Sequence, residues 1–245
     1  MNPRQITSFV RVNAYTVGMS FYAILRQQFG RDPELFRRHT RQWARRCLEL
    51  AEIEVRIEGG DGLDPSASYV FMANHQSHCD IPSLFAALPM VPGFLAKAEL
   101  RRVPFFGRAM EVGGHVFVDR RKHTQAVDAI GAAARDLRDG RSIVIFPEGT
   151  RSRRREVLPF KKGGFHLVKQ AGVPLVPIGL RGTADVLPKH GRTIRPGRVH
   201  VVIGEPIPAE RVGDQSLEAL IREVRSHIAS LSELPLALDR SGARR

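Results

Sequence analysis

From Glu52 onward, short apolar runs alternate with amphipathic stretches. EVRIEG (54–59) and SYVFMANH (68–75) read as strands, as do VPGFLAK (91–97) and GHVFVD (114–119). SIVIFPEG (142–149), VPLVPIGL (173–180) and GRVHVVIGEPI (197–207) are three more apolar runs of strand length. Between them Ile81 to Leu88 has helical character, with Pro82 confined to the helix start. Thr124 to Arg138 forms an amphipathic helix ended by Gly140. Leu217, Leu220, Ile221, Val224, Ile228 and Leu231 make a stripe at helical spacing that belongs in a core. Alternating strands and helices predict an α/β domain over residues 52–233. No fixed-period repeat or long linker divides it. A helical attachment, 1–51, precedes it, and a frayed tail, 234–245, follows.

The attachment has two parts. Val12 to Leu25 is apolar for about 14 residues, short of the roughly 20 that a helical span needs. It is expected as an interfacial or partly inserted helix. No secretory leader pattern is visible, because Arg11 and Asn13 interrupt the apolar stretch. A second helix is expected after Asp32-Pro33, an N-cap followed by a proline suited to the first turn. Phe36, Trp43, Cys47 and Leu50 share one stripe. Arg37, Arg41 and Arg45 share another face, with Arg38 and Arg46 beside them. This arrangement fits a helix lying on an anionic bilayer, or a core helix with a solvated basic face.

Charge sharpens the picture. Lys and Arg number 38 against 25 acids, a net +13, so polyanionic partners are expected: anionic membrane, phosphorylated substrate or nucleic acid. Nucleic acid is disfavoured, since no binding motif accompanies the basic run RSRRRE (151–156). The two cysteines, Cys47 and Cys79, lie in unrelated contexts and fit a reducing compartment.

The heptapeptide NHQSHCD (74–80) concentrates the candidate chemistry. A zinc site needs three or four convergent ligands, and the remaining histidines are scattered. Ser77 lies outside the GxSxG turn that exposes a serine nucleophile. Cys79 sits beside His75 and His78, but nucleophile and base seldom come from one short segment. His75 and Asp80 need no protein nucleophile: a carboxylate folded onto the imidazole fixes its tautomer and equips it as a base for an external hydroxyl. Taken alone, the pair is equally compatible with a histidine and an aspartate that cap a helix.

Further blocks accompany it: KAELRRVPFFG (97–107), Asp119-Arg120, FPEGTRS (146–152) and VPIGL (176–180). Asn74, His75 and Asp80 match NHxxxxD. Lys97, Glu99, Leu100, Pro104 and Gly107 match KxELxxxPxxG. In this order the blocks closely resemble the glycerolipid acyltransferase family, in particular 1-acyl-sn-glycerol-3-phosphate acyltransferases. The resemblance implies a mixed central sheet flanked by helices. It also implies acyl transfer from acyl-CoA or acyl carrier protein to the free hydroxyl of 1-acyl-sn-glycerol 3-phosphate, making phosphatidic acid. His75 becomes the general base and Asp80 its orienting partner. Lys97, Arg151 and Arg120 become ligands of the acceptor phosphate, while Glu148, Gly149 and Thr150 shape the acceptor site. Neither metal nor cofactor is implied, and the expected location is the cytoplasmic face of a membrane, peripheral or monotopic. Alternatives are another lyso-lipid acceptor such as a lyso-ornithine lipid, a metallo-hydrolase, or a non-catalytic membrane-binding protein. Outside the blocks' logic, Pro177 reads as an edge-strand proline.

Overall fold

A computed structural model describes residues 3–27, 30, 32–119 and 123–238. Its centre is β2 (Val70–Ala73), buried along its whole length. Successive side chains of a strand point to opposite faces. Phe71 and Ala73 therefore enter one core, with Ala44, Leu48, Leu84 and Phe85, and Val70 and Met72 enter another, with Leu137, Phe165, Leu220 and Val224. The result is three layers, helices on both faces of one sheet.

Around β2 stand β1 (Ile53–Glu58), β3 (Gly93–Lys97), β4 (Val116–Val118), β5 (Ile143–Ile145), β6 (Leu175–Arg181) and β7 (Gly197–Ile203). The order is β1-β7-β6-β2-β5-β3-β4. All neighbours pair in parallel except β6 with β7, so the sheet is mixed. Every strand expected from the apolar runs is present. Pro177 is not on an edge. It lies in the interior strand β6, paired in register with Met72 of β2. It is tolerated because the antiparallel register slips by one between the Leu175–Ile207 bridge and the Ile178–Ile203 pair. That bulge asks for no ladder N–H from residue 177, and the Pro177 carbonyl instead accepts from Gly204 N at 2.8 Å.

One face is covered by α1 (Pro3–Gln27), α2 (Pro33–Leu50), α3 (Asp80–Ala87) and α4 (Phe106–Val112). The other is covered by α5 (His123–Arg138), α6 (Gly163–Ala171) and α9 (Leu217–Ser232), with the short helices α7 (Thr183–Val186) and α8 (Ala209–Asp214) in connections. In α2, Asp32 caps Leu35 N at 3.0 Å and Pro33 opens the helix, as expected. Its buried face (Ala44, Cys47, Leu48) packs on the domain, while Arg37, Arg38, Arg45 and Arg46 are exposed. Arg41 leaves that basic face. Its guanidinium donates to the carbonyls of Leu88, at 3.1 Å, and Pro89, closing the C-terminal end of α3. The Trp43 indole donates to Thr16 Oγ1 at 3.1 Å, tying α2 to α1. A 3-10 turn (Ala98–Arg102) leads from β3 into α4. Gly107 is required where they meet, because a Cβ there would lie 2.2 Å from the Arg101 carbonyl oxygen.

Among the described residues no helix is long and apolar enough to cross a membrane. Residues 234–238 depart from the expected tail. Pro235 and Ala237 exchange backbone hydrogen bonds with Val157, and Arg225 Nη2 donates to the Ala237 carbonyl at 2.6 Å. Residues 239–245 lie outside the described residues.

Candidate active site

The carboxyl ends of the parallel strands converge on one side of the sheet. β2 delivers 74–80, β3 delivers Lys97, β5 delivers 146–152, and β6 leads to Lys189. In open α/β sheets this is where ligands are bound.

Asn74 sets the first loop. Its side-chain amide donates to the Leu180 carbonyl at 2.9 Å and accepts from Leu180 N at 2.7 Å, extending the β2–β6 ladder by one side chain. The loop then turns so that Asp80, the first residue of α3, faces back to His75. Asp80 Oδ2 lies 2.7 Å from His75 Nδ1 and accepts from the amides of Gln76 and Ser77, both at 2.9 Å. Asp80 is fully buried and the His75 side chain is 16% exposed. A carboxylate accepting at Nδ1 places that ring proton on Nδ1 and leaves Nε2 as the basic nitrogen. The imidazole stacks on Phe146, with centroids 4.0 Å apart and planes 15° from parallel. The expected pair is thus assembled, with its tautomer and ring plane both set.

FPEGTRS is coupled to this loop. Ser152 N donates to the His75 carbonyl at 2.7 Å. Glu148 Oε1 accepts from His75 N at 2.6 Å and Oε2 from Leu158 N at 3.1 Å. Both carboxyl oxygens are therefore spent on backbone, and Glu148 is buried rather than set in the cavity wall. Glu148, expected to shape the acceptor site, ties the His75 loop to the segment around Leu158 through those two amides. Its burial pushes the carboxyl up to about 8, against the pull of the two amides. Gly149 has φ +72, which suits glycine at the turn that presents Thr150 and Arg151.

Ser77 and Cys79 serve the loop. Ser77 Oγ donates to the Leu187 carbonyl at 2.7 Å and accepts from Cys79 N at 3.1 Å. Burial pushes the Cys79 thiol up to about 12, far from a reactive thiolate. Among the described residues no group of three or more His, Cys, Asp or Glu is placed to hold a metal ion.

His75 opens onto a cavity of about 510 Å³. One part is apolar, lined by Met19 and Ala23 of α1, Phe36 and Trp43 of α2, Phe85, Phe94, Leu100, Phe106 and Met110. The other carries Lys97, Thr150, Arg151 and Lys189. No salt bridge among the described residues involves any of these three cations. Lys189 Nζ donates to Thr150 Oγ1 at 3.1 Å and to the Arg151 carbonyl at 2.6 Å. Desolvation, then Arg153, Arg151 and Lys97, lower its pKa, with Glu148 pulling the other way. Desolvation likewise lowers Arg151. Arg120 lies outside the described residues. Lys189 escaped the sequence reading because it stands beyond the last block, and its PKH context carries no motif. The cavity walls from α1 and α2 were missed for a related reason: their apolar stripes had been read as facing lipid or core.

The family model described as Acyltransferase matches residues 54–181. A 1-acyl-sn-glycerol-3-phosphate acyltransferase alpha from Ovis aries is 37% identical over 180 residues, 72% of this chain and 62% of the relative. This chain thus spans about three-fifths of that relative's length. The 1-acyl-sn-glycerol-3-phosphate acyltransferase of Escherichia coli (strain K12) is 33% identical over 202 residues, 82% of this chain and 80% of the relative. The crystal structure of the 1-acyl-sn-glycerophosphate (LPA) acyltransferase from Thermotoga maritima superposes with a TM-score of 0.80 at 29% identity, covering 94% of this chain and 93% of that one.

Proposed function

We propose, from the premise that this chain belongs to the acyltransferase family, that it transfers a fatty acyl group from a thioester to the free hydroxyl of 1-acyl-sn-glycerol 3-phosphate, forming phosphatidic acid. The observation that carries this reading is the position of the His75–Asp80 pair where an apolar cavity meets a group of three cations. The apolar part suits acyl chains. Lys97, Arg151 and Lys189 suit the acceptor phosphate, which a headgroup without phosphate, such as a lyso-ornithine lipid, would leave unmatched.

In the mechanism that follows, His75 Nε2 takes the proton from the acceptor hydroxyl as its oxygen attacks the thioester carbonyl. Asp80 stabilises the imidazolium so formed. When the tetrahedral intermediate collapses, the C–S bond breaks, the ester C–O bond remains, and the imidazolium returns the proton to the leaving thiolate. No protein nucleophile takes part.

The acceptor lives in a bilayer, and α1 offers a means of reaching it. Val10, Val17 and Phe21 are exposed along its outer side, and Phe21 meets exposed Phe105 edge-on at 5.8 Å. Exposed apolar residues grouped in this way, with Arg101, Arg102 and Arg108 nearby in sequence, suit an anionic membrane surface. On this reading the enzyme is peripheral or monotopic on the cytoplasmic face, seated through residues 1–51. The test is purified enzyme supplied with labelled acyl thioester and a panel of lyso-lipids. Preferred product with lysophosphatidate supports the reading, and equal product with phosphate-free acceptors overturns the choice of acceptor.

A further inference from the structure

The apolar part of the catalytic cavity also carries polar side chains that the reaction leaves unused. Thr16 and Thr40 spend their hydroxyls on helix carbonyls, at 2.8 and 3.0 Å. His39 stands beside exposed Tyr22, edge-on at 4.9 Å. Two others differ. Ser20, one turn beyond Thr16 on α1, is 6% exposed, and its hydroxyl makes no hydrogen bond among the described residues. His115, just ahead of β4, accepts at Nδ1 from Phe94 N at 2.9 Å. A neutral imidazole that accepts at Nδ1 carries its proton on Nε2. Burial pushes this ring down to about 4, so it is neutral at ordinary pH. Phe94 and Phe85 wall it, with centroids 5.8 and 6.5 Å away. The Nε2–H meets no acceptor among the described residues, and the ring lines the cavity.

This donor lies away from the reacting groups. Ring contacts lead from His75 to Phe146 at 4.0 Å, on to Phe94 at 6.0 Å, and then to His115. In the sheet β4 stands three places from β2, the strand that delivers His75, about 14 Å at ordinary strand spacing. A carbonyl held at His75 does not reach it, and what passes it is the chain beyond the carbonyl. We propose that His115 and Ser20 form a specificity site for an acyl chain bearing a hydroxyl near its middle, with the His115 Nε2–H donating to that oxygen. The proposal rests on the acyltransferase reading above and adds a substrate class to it. A hydroxyl both accepts and donates, so it satisfies the imidazole and can turn its own proton to Ser20 Oγ. A plain chain leaves a desolvated N–H without a partner, and a site of that kind discriminates against the analogue lacking the oxygen. The oxygen sits on the donor's chain or on the acceptor's, and the test separates the two.

The full chain is compared with His115→Asn and Ser20→Ala. Asparagine reaches only as far as Nδ1, so it keeps the bond from Phe94 N and loses the donor into the cavity. One arm pairs 10-hydroxypalmitoyl-CoA with palmitoyl lysophosphatidate. The other pairs palmitoyl-CoA with 10-hydroxypalmitoyl lysophosphatidate. In one arm the wild-type kcat/KM should exceed that of the unsubstituted pair about tenfold, and His115→Asn should lose the margin. Ser20→Ala should reduce it too, and decides the matter if His115→Asn does not fold. A 3-hydroxypalmitoyl chain, its oxygen close to the reacting carbon, should show no gain. Equal rates for plain and mid-chain hydroxylated substrates in both arms overturn the proposal, as does a margin that a folded His115→Asn retains. Trp43, the chain's single tryptophan, lines the same cavity, so its fluorescence reads chain binding without turnover. Wild type should bind 10-hydroxypalmitate about tenfold tighter than palmitate, and His115→Asn should bind the two alike. That result supports the site even if no lysophosphatidate is acylated, which would sink only the functional reading. Equal binding by wild type sinks the site even if acyl transfer is observed.

Discussion

Asp80→Asn is the most informative small change in the site. The carboxylate is fully buried and accepts three hydrogen bonds through one oxygen, from His75 Nδ1 and two backbone amides. Asparagine can keep an acceptor for the amides and nearly the same volume, so the loop should survive. What disappears is the negative charge beside the imidazolium that forms in the transition state. Charge centres about 4 Å apart at an effective dielectric of about 20 interact by about 4 kcal/mol. At about 1.4 kcal/mol per decade that is about a thousandfold in kcat. The neutral acceptor retains part of the hydrogen bond, while a flipped amide would favour the wrong tautomer, so about 10²–10⁴-fold is expected. KM for both substrates should hardly change, because Asp80 contacts neither. Steady-state rates with lysophosphatidate, alongside circular dichroism and thermal melting, measure this. A variant that folds normally and keeps kcat within tenfold would refute the assignment of Asp80 to imidazolium stabilisation.

Three other outcomes are expected. Arg151→Ala and Lys97→Ala should raise KM for the phosphorylated acceptor about 10–100-fold and leave donor KM nearly unchanged; equal effects on both would remove them from the phosphate site. Glu148, held near about 8 against an ordinary 4.5, keeps in the fold a proton that the unfolded chain releases. Stability therefore falls as pH rises from about 4.5 to about 8, by at most about 3–5 kcal/mol. Urea unfolding at several pH values should show that slope reduced in Glu148→Gln, and a difference between the two proteins that is independent of pH would contradict it. Val17→Glu and Phe21→Glu should weaken co-sedimentation with anionic liposomes and leave turnover of a detergent-dispersed acceptor intact. Unchanged binding would place the membrane surface elsewhere. Point changes serve better here than removing residues 1–50, since α1 and α2 also wall the catalytic cavity.

Most strands were readable as short runs closed by Gly, Pro, Asn or Asp, with β1 alternating apolar and charged residues and β3 running straight into Ala98, and β2, buried on both faces, is apolar throughout. The helices α4, α6, α7 and α8 were not foreseen. They are four to nine residues long, too short for a helical period to stand out, and α6 begins with Gly163-Gly164. The His75–Asp80 pair was readable because both partners fall within one heptapeptide, at the turn from β2 into α3, and because the further blocks follow in the family's order. The role of Glu148 was not, since its partners are backbone amides 73 and 10 residues away, and amides leave no trace in sequence. Lys189 joins Arg151 only through the return of the chain after β6, a tertiary closeness with no local signal. Arg41 looked like part of a basic face and instead caps a helix end, because a guanidinium on a long stem can reach free carbonyls that a helical wheel does not show.

The proposal that His75 is the base in a direct transfer meets its sharpest test in His75→Ala. Purified wild type and variant are given labelled acyl thioester and lysophosphatidate, and phosphatidate and free thiol are both counted, with Cys79→Ala as a companion. Loss of a general base costs about 10²–10⁴-fold. The expectation is that His75→Ala falls by that factor in both products, with its fold retained, while Cys79→Ala stays near wild type. A folded His75→Ala within tenfold of wild type, or an acyl-enzyme trapped on Cys79, would contradict the mechanism.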